Sequence, residues 1–210
     1  MNAVITMDVI GSKQLLSRGY SKNGFYRSAD RASEAMADRL LTRFSISRGD
    51  EIQGIIESPA DIPVTVRNLR YFFLPALLRI GVGIGETDLP LVYDSSWEMD
   101  GQAFHRAREA LDAERDIKTP CTRISSGQSD MDSAANVIYL LADAIESKWT
   151  MPQWQAVYAY ESCGTYRAAG EMLGVAAQNA AKRCKAAKYG ALREGEEYLS
   201  RIFGAVGRDG

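Results

Sequence analysis

Asp8 and Asp50 are the residues whose type and setting point most directly to chemistry. Asp8 closes the apolar run Ala3-Val4-Ile5-Thr6-Met7 and is followed by Val9-Ile10-Gly11-Ser12. Asp50 stands in Arg48-Gly49-Asp50-Glu51, between Phe44-Ser45-Ile46 and Ile52-Gln53-Gly54-Ile55-Ile56. The first carboxylate is expected at the tip of a buried strand, the second in a hairpin turn. If the two strands are neighbours, the carboxylates converge. Mg²⁺ takes one or two carboxylates plus phosphate oxygens, so a convergent pair beside a glycine turn suits a metal-bound triphosphate. Paired acids raise each other's pKa when no cation separates them, which favours Mg²⁺ or Mn²⁺ at this pair. Each acid alone reads as an ordinary strand-end or hairpin acid.

The elements that must position this pair follow from hydrophobic periodicity. Ala3 to Met7 reads as a buried strand, and Gly11 to Arg27 as a loop or frayed helix. Ala32, Ala35, Met36, Leu40 and Leu41 recur at three- and four-residue steps, which predicts a helix over 29–41. Phe44 to Ser47 and Ile52 to Glu57 flank a short polar turn, a hairpin signature. Val66, Leu69, Phe73 and Leu77 give Ile62 to Leu77 a helical face, with Ser58-Pro59-Ala60-Asp61 as turn and cap. Leu78 to Gly85 alternates strictly: Ile80, Val82 and Ile84 point one way and glycines line the other, as tight packing against a neighbour requires. A helix is expected over 99–114, with Ala103, Ala107, Ala110 and Leu111 on one stripe. A strand follows over 122–125, then a helix over 129–147 whose apolar face is Val137, Leu140, Leu141 and Ile145. The order βαββαβ, continued by a helix and a strand, is that of a ferredoxin-like α+β fold. Beyond Trp149 every segment reads as helical, so two domains are expected, 1–149 and 150–210.

The second part carries a different signal. Thr165 to Val175 reads as the first helix and turn of a helix-turn-helix, with small Ala168 and Ala169 and Gly174 at the turn. Ala176 to Arg193 is expected to be the second helix. It carries Lys182, Arg183, Lys185, Lys188 and Arg193 and no acid, the electrostatic footprint of a phosphate-binding element. Gln178 and Asn179 near its start are suited to base edges. A protein-interaction module is the competing reading. Trp154, Val157, Tyr158 and Tyr160 supply this unit's core.

Composition excludes several classes. Three separated cysteines and a single histidine argue against a zinc site and for a reduced, cytoplasmic chain. The N-terminal apolar stretch is short and lacks a basic region, unlike a signal peptide. The most hydrophobic region, Tyr71 to Gly85, contains Pro75 and Arg79 and is shorter than the ~20 apolar residues a membrane helix needs. No membrane partner is expected.

The strand–Asp8–Val9–Ile10–Gly11–Ser12 segment, the Gly49-Asp50-Glu51 turn and Arg79 to Gly85 resemble the palm of class III nucleotidyl cyclases and GGDEF diguanylate cyclases. Nearly the whole chain resembles the SatD family, through Ile5 to Ser12, Arg48 to Glu51, and Trp97-Glu98-Met99-Asp100-Gly101 leading to His105-Arg106-Ala107-Arg108. The palm resemblance implies that Asp8 and Asp50 hold metal, that Glu51 assists, and that the backbone of Val9, Ile10, Gly11 and Ser12 cradles a nucleoside triphosphate. It also implies a homodimer. A cyclase carries an asparagine, and an arginine four residues on, in the helix that here holds His105 and Glu109, with Arg108 one place early. Two readings follow. One is a Mg²⁺-dependent, triphosphate-binding palm with cyclase-like chemistry, His105, Arg108 and Glu51 being the candidate catalytic groups, fused to a DNA-binding helix-turn-helix. The other is a non-enzymatic DNA-binding regulator whose palm is a nucleotide sensor or dimerisation scaffold.

Overall fold

A computed structural model describes residues 1–17, 21–46, 51–88 and 99–206. The chain runs β1 (Asn2–Val9), α1 (Ser12–Ser17), α2 (Lys22–Ala35), β2 (Leu40–Ile46), β3 (Ile52–Ile56), α3 (Ile62–Phe73) and β4 (Leu78–Gly85). It continues through α4 (Gln102–Ala113), β5 (Cys121–Ser125) and α5 (Ser129–Glu146). Four helices follow: α6 (Met151–Cys163), α7 (Tyr166–Leu173), α8 (Ala177–Ala186) and α9 (Tyr189–Val206). The fold is α+β around one five-stranded mixed sheet of order β2-β3-β1-β4-β5. β1 pairs antiparallel with both β3 and β4, β2 antiparallel with β3, and β5 parallel with β4.

The alternation of β1 and β4 assigns the two sheet faces. Ala3, Ile5, Met7 and Val9 join Ile80, Val82 and Ile84 in the main core. Two amphipathic helices cover that face. Phe25, Ala29 and Ala32 of α2 and Met36 at its C-terminal cap recur at helical spacing, as do Ile62, Val66, Leu69 and Phe73 of α3. Val4 and Ile55 face the other way, onto Met99, Ala103 and Ala107 of the α4 segment. The β4 glycines let α4 approach. A Cβ at Gly81 would overlap the Ala107 carbonyl and Leu111 amide, and one at Gly83 the Ala103 carbonyl and Ala107 amide. The expectation of tight packing at these glycines is met by backbone on backbone.

Several expected boundaries move. The helix read over 29–41 is α2, which starts at Lys22, capped by Ser21 accepting from the Gly24 amide; Leu40 and Leu41 belong to β2. α3 stops at Phe73, two residues before Pro75, and Leu77 is exposed rather than part of its apolar face. In α5 the orientation is reversed: Val137, Leu140 and Leu141 are exposed, while Ala135, Tyr139, Asp143 and Glu146 are buried. The reason is Arg70, a buried cation on α3 whose Nη2 lies 2.7 Å from Asp143 and whose Nε lies 3.5 Å from Glu146. An unpaired buried charge costs more than an exposed leucine, so the acids face inward.

The expected helix 176–193 is two helices. α8 ends at Ala186, and Lys188 adopts a φ of 58° before α9 begins. Trp149 Nε1 donates to the Ala187 carbonyl at 2.7 Å, and Tyr189 is buried in the cluster with Val157, Cys184 and Leu192. That anchoring holds the break. α9 then reaches back to the sheet unit, where Leu199, Phe203 and Val206 join the main core. Arg67 of α3 adds an ionic tie, at 2.8 Å to Glu196 of α9 and 3.4 Å to Glu161 of α6, beneath the Tyr189 ring. No helix among the described residues is long and apolar enough to cross a membrane.

Candidate functional site

β1 delivers Asp8 to the end of the sheet, directly opposite Arg79 of β4. The carboxylate accepts two hydrogen bonds from that guanidinium, Nε at 2.8 Å and Nη2 at 2.7 Å, a bidentate pair of the strong, oriented kind. Arg79 Nη1 also donates to the Arg115 carbonyl after α4, so Arg79 is held on three sides. On the other flank of β1 the register with β3 ends at Met7–Ile52, which makes Glu51 the next position beside Asp8. Glu51 meets Arg108 of α4, Oε1 to Nη2 at 2.7 Å, off a hydrogen-bonding angle and therefore joined by charge rather than direction. One strand pair inward, the buried Thr6 hydroxyl donates to Gln53 Oε1 at 3.1 Å.

Four charged groups thus gather at this end: Asp8 with Arg79, and Glu51 with Arg108. Arg79 opens the Arg79 to Gly85 segment, but its residue type gave it no role there. Its signal in the sequence was its place one residue before the glycine alternation, opposite Asp8 in an antiparallel pair. Asp50 lies outside the described residues, as do Arg48 and Gly49. His105 is exposed on the outer side of α4, where Nε2 lies 3.3 Å from Asp100 Oδ1. The structure therefore joins Arg108, not His105, to the acids.

The turn after β1 is built around Gly11 at φ 65°. Val9 is buried and still paired with Leu78. The Ile10 amide donates to the Leu77 carbonyl at 2.8 Å. Gln14 and Leu15 amides close onto the Gly11 carbonyl, starting α1 at Ser12. Of the four residues expected to cradle phosphate, Ile10 has its backbone donor committed to the sheet, and the Gly11 carbonyl is committed to the start of α1.

The fit of a divalent cation follows from the donor set. Among the described residues no three of His, Cys, Asp and Glu converge as a metal cluster. Asp8 and Glu51 are each matched by an arginine, and Asp50, the second expected ligand, lies outside the described residues. The arginines, in turn, are groups that recognise phosphate in place of carboxylate.

The second candidate surface is the α7–α8 pair. Thr165 caps α7, accepting from the Ala168 amide at 3.2 Å. Gly174 closes α7 at φ 66°, and Val175 donates back to the Gly170 carbonyl at 2.9 Å. Gly170 sits where the helices cross; a Cβ there would lie 2.7 Å from the Val175 carbonyl oxygen. Ala159, Ala169 and Ala180 form the small-residue centre where α6, α7 and α8 meet. With Ala180 and Cys184 inward, α8 leaves Gln178, Asn179, Lys182 and Lys185 exposed and Arg183 half-buried. The basic set on this helix is three residues, because Lys188 and Arg193 fall beyond the break.

The family model described as "SatD family" matches residues 2–188. No curated protein matches the chain.

Proposed function

The chain belongs to the SatD family, and from that premise we propose that it is a DNA-binding regulator whose N-terminal unit is a nucleotide-sensing, ferredoxin-like palm. The observation that carries this reading is the outer face of α8. Gln178, Asn179, Lys182 and Lys185 recur along it at i, i+1, i+4 and i+7, with no acid anywhere in the helix. Lys182 and Lys185 suit DNA phosphates, which position a protein; Gln178 and Asn179 near the helix start suit base edges, which specify sequence. Gly174 and Gly170 hold α7 across α8 as a helix-turn-helix requires.

The palm assignment is supported by the run β1-α2-β2-β3-α3-β4 with strand order 2-3-1-4, which is the ferredoxin-like arrangement. In this reading the triphosphate engages Arg79 and Arg108 in competition with Asp8 and Glu51, near the Gly11–Ser12 turn. The neutralised acids favour a sensor over a catalyst. A Mg²⁺-dependent cyclase-type enzyme is the second reading, supported by Asp8 and Glu51 standing side by side in the β1–β3 register.

Thermal melts with each nucleoside triphosphate, with and without Mg²⁺, test the sensor. A shift with at least one triphosphate, lost in Arg79→Ala, is expected; no shift with any of them refutes a nucleotide-binding palm. Product analysis by mass spectrometry on the same samples decides between the readings, since turnover that depends on Asp8 would favour the enzyme.

A further inference from the structure

The structure assigns α5 as a self-recognition surface: we propose that two copies of this chain pair through an antiparallel α5–α5 seam. The inference stands apart from the proposed function, because neither the α8 face nor the Asp8–Arg79 pair takes part in it.

The starting observation is the reversed helix. Val137, Leu140 and Leu141 are 58%, 69% and 61% exposed, three large apolar residues side by side on one face. Scattered apolar residues on a surface need no explanation, but a contiguous stripe marks an interaction site. A groove of about 520 Å³ runs beside it, walled by Ile117, Pro120, Val137, Leu140 and Ala144.

The neighbouring edge strand cannot supply the partner contact. Backbone amides on the open side of β5, and that of Ser126 just beyond it, would donate to an added strand, but they are already taken by side chains of α5. Thr122 N donates to Asp143 Oδ2 at 2.6 Å, Ile124 N to Asn136 Oδ1 at 2.7 Å, and Ser126 N to Asp132 Oδ1 at 2.9 Å. Side chains that occupy an edge in this way block strand addition. The occupant must therefore meet the helix face itself.

The spacing on that face says what fits. Asp130, Ala134, Val137, Leu141 and Ala144 of α5 recur at steps of four and three, a heptad seam, and Lys148 continues the spacing in the turn that closes the helix, where its amide donates to the Ile145 carbonyl. Read against its own reverse, the seam is complementary. In an antiparallel pair centred on residue 139, Asp130 of one copy meets Lys148 of the partner subunit. Ala134 then meets Ala144 of the partner subunit, and Val137 meets Leu141 of the partner subunit. Acid faces base, small faces small and large faces large, at both ends at once. Asp130 and Lys148 are exposed and so free to make that pairing. A two-fold contact must be self-complementary in this sense, residue i to j and j to i. A parallel pair would instead set Asp130 against Asp130 and Lys148 against Lys148.

Sedimentation equilibrium of the full chain tests the proposal, with circular dichroism confirming that each variant remains folded. The wild type is expected to dimerise. Leu141→Glu buries a charge at the seam and should weaken the dimer by at least ~100-fold, as loss of a central interface residue does. Asp130→Lys should weaken it by about tenfold, and Asp130→Lys combined with Lys148→Asp should restore it, a reversal that only the antiparallel register provides. A wild type that stays monomeric to hundreds of micromolar overturns the proposal. So does a folded Leu141→Glu variant that dimerises as before, or a charge exchange that restores nothing.

Discussion

Replacing Glu146 with Gln should make the stability of this protein nearly independent of pH above about pH 6, where the wild type continues to lose stability as pH rises. Arg70, Asp143 and Glu146 are all buried, so one guanidinium stands against two carboxylates. Asp143 is the better compensated acid. Arg70 lies 2.7 Å away, and the Thr122 amide donates at 2.6 Å. Burial nevertheless pushes Asp143 up to about 6, and Glu146, with the longer contact to Arg70, up to about 8. At neutral pH the pair therefore retains a proton, held on Glu146. The folded chain keeps that proton where an unfolded glutamate, near 4.5, has released it. A raised folded pKa stabilises fully below the unfolded value, and the gain is lost as pH climbs through the folded one. The window here is about pH 4.5 to 8. At ~1.4 kcal/mol for each pKa unit, the loss across that window is on the order of a few kcal/mol. For a chain of this size 1 kcal/mol is worth ~2–4 °C, so a loss of ~5 kcal/mol for the 3.5 units between 4.5 and 8 should lower the Tm by roughly 10–20 °C. Glutamine keeps the shape of the neutral acid and cannot ionise. Melts followed by circular dichroism from pH 5 to 9 should show the two proteins alike at pH 5 and the variant more stable at pH 9. Parallel curves for wild type and Glu146→Gln would refute the buried-proton argument.

Two further substitutions probe the packing. Gly83→Ala places a methyl against backbone atoms of Ala103 and Ala107, which no rotamer change relieves; overpacking of this kind costs ~1–3 kcal/mol, read as a lower Tm. An unchanged Tm would mean that α4 does not sit on the glycine face. Asn136→Leu strips the cap from the Ile124 amide and should cost ~1–3 kcal/mol for the unsatisfied donor, with aggregation on concentration as the β5 edge opens. Unchanged stability and light scattering would show that the edge is protected by other means.

Much of the sheet unit was legible because its faces alternate. Ile80, Val82 and Ile84 against three glycines could be read directly, as could the position of Asp8 at a strand end. The α5 orientation was not, since counting apolar residues assumes that polar ones face out. Here Asp143 and Glu146 are required inside by Arg70, and Asp132 and Asn136 are required at the β5 edge. The break between α8 and α9 was hidden for another reason. The nearby Gly190 lies inside α9 rather than at the break, and a single lysine at positive φ makes the turn. At the sheet end, residue types identified Asp8, Glu51 and Arg108, whereas the pairing of Arg108 with Glu51 and the role of Arg79 opposite Asp8 become visible only through packing and register.

The most direct test of the DNA-binding reading is the salt dependence of DNA affinity, measured by fluorescence anisotropy on wild type and a Lys182→Ala, Lys185→Ala double variant. Each phosphate contact contributes ~0.9 to the slope of log K against log salt, so removing two should flatten it by about 2. That flattening, with lower affinity at every salt concentration and an unchanged melting curve, is the expected result. A wild type that does not bind DNA at low salt, or a double variant with the wild-type slope, would contradict α8 as the DNA-binding face.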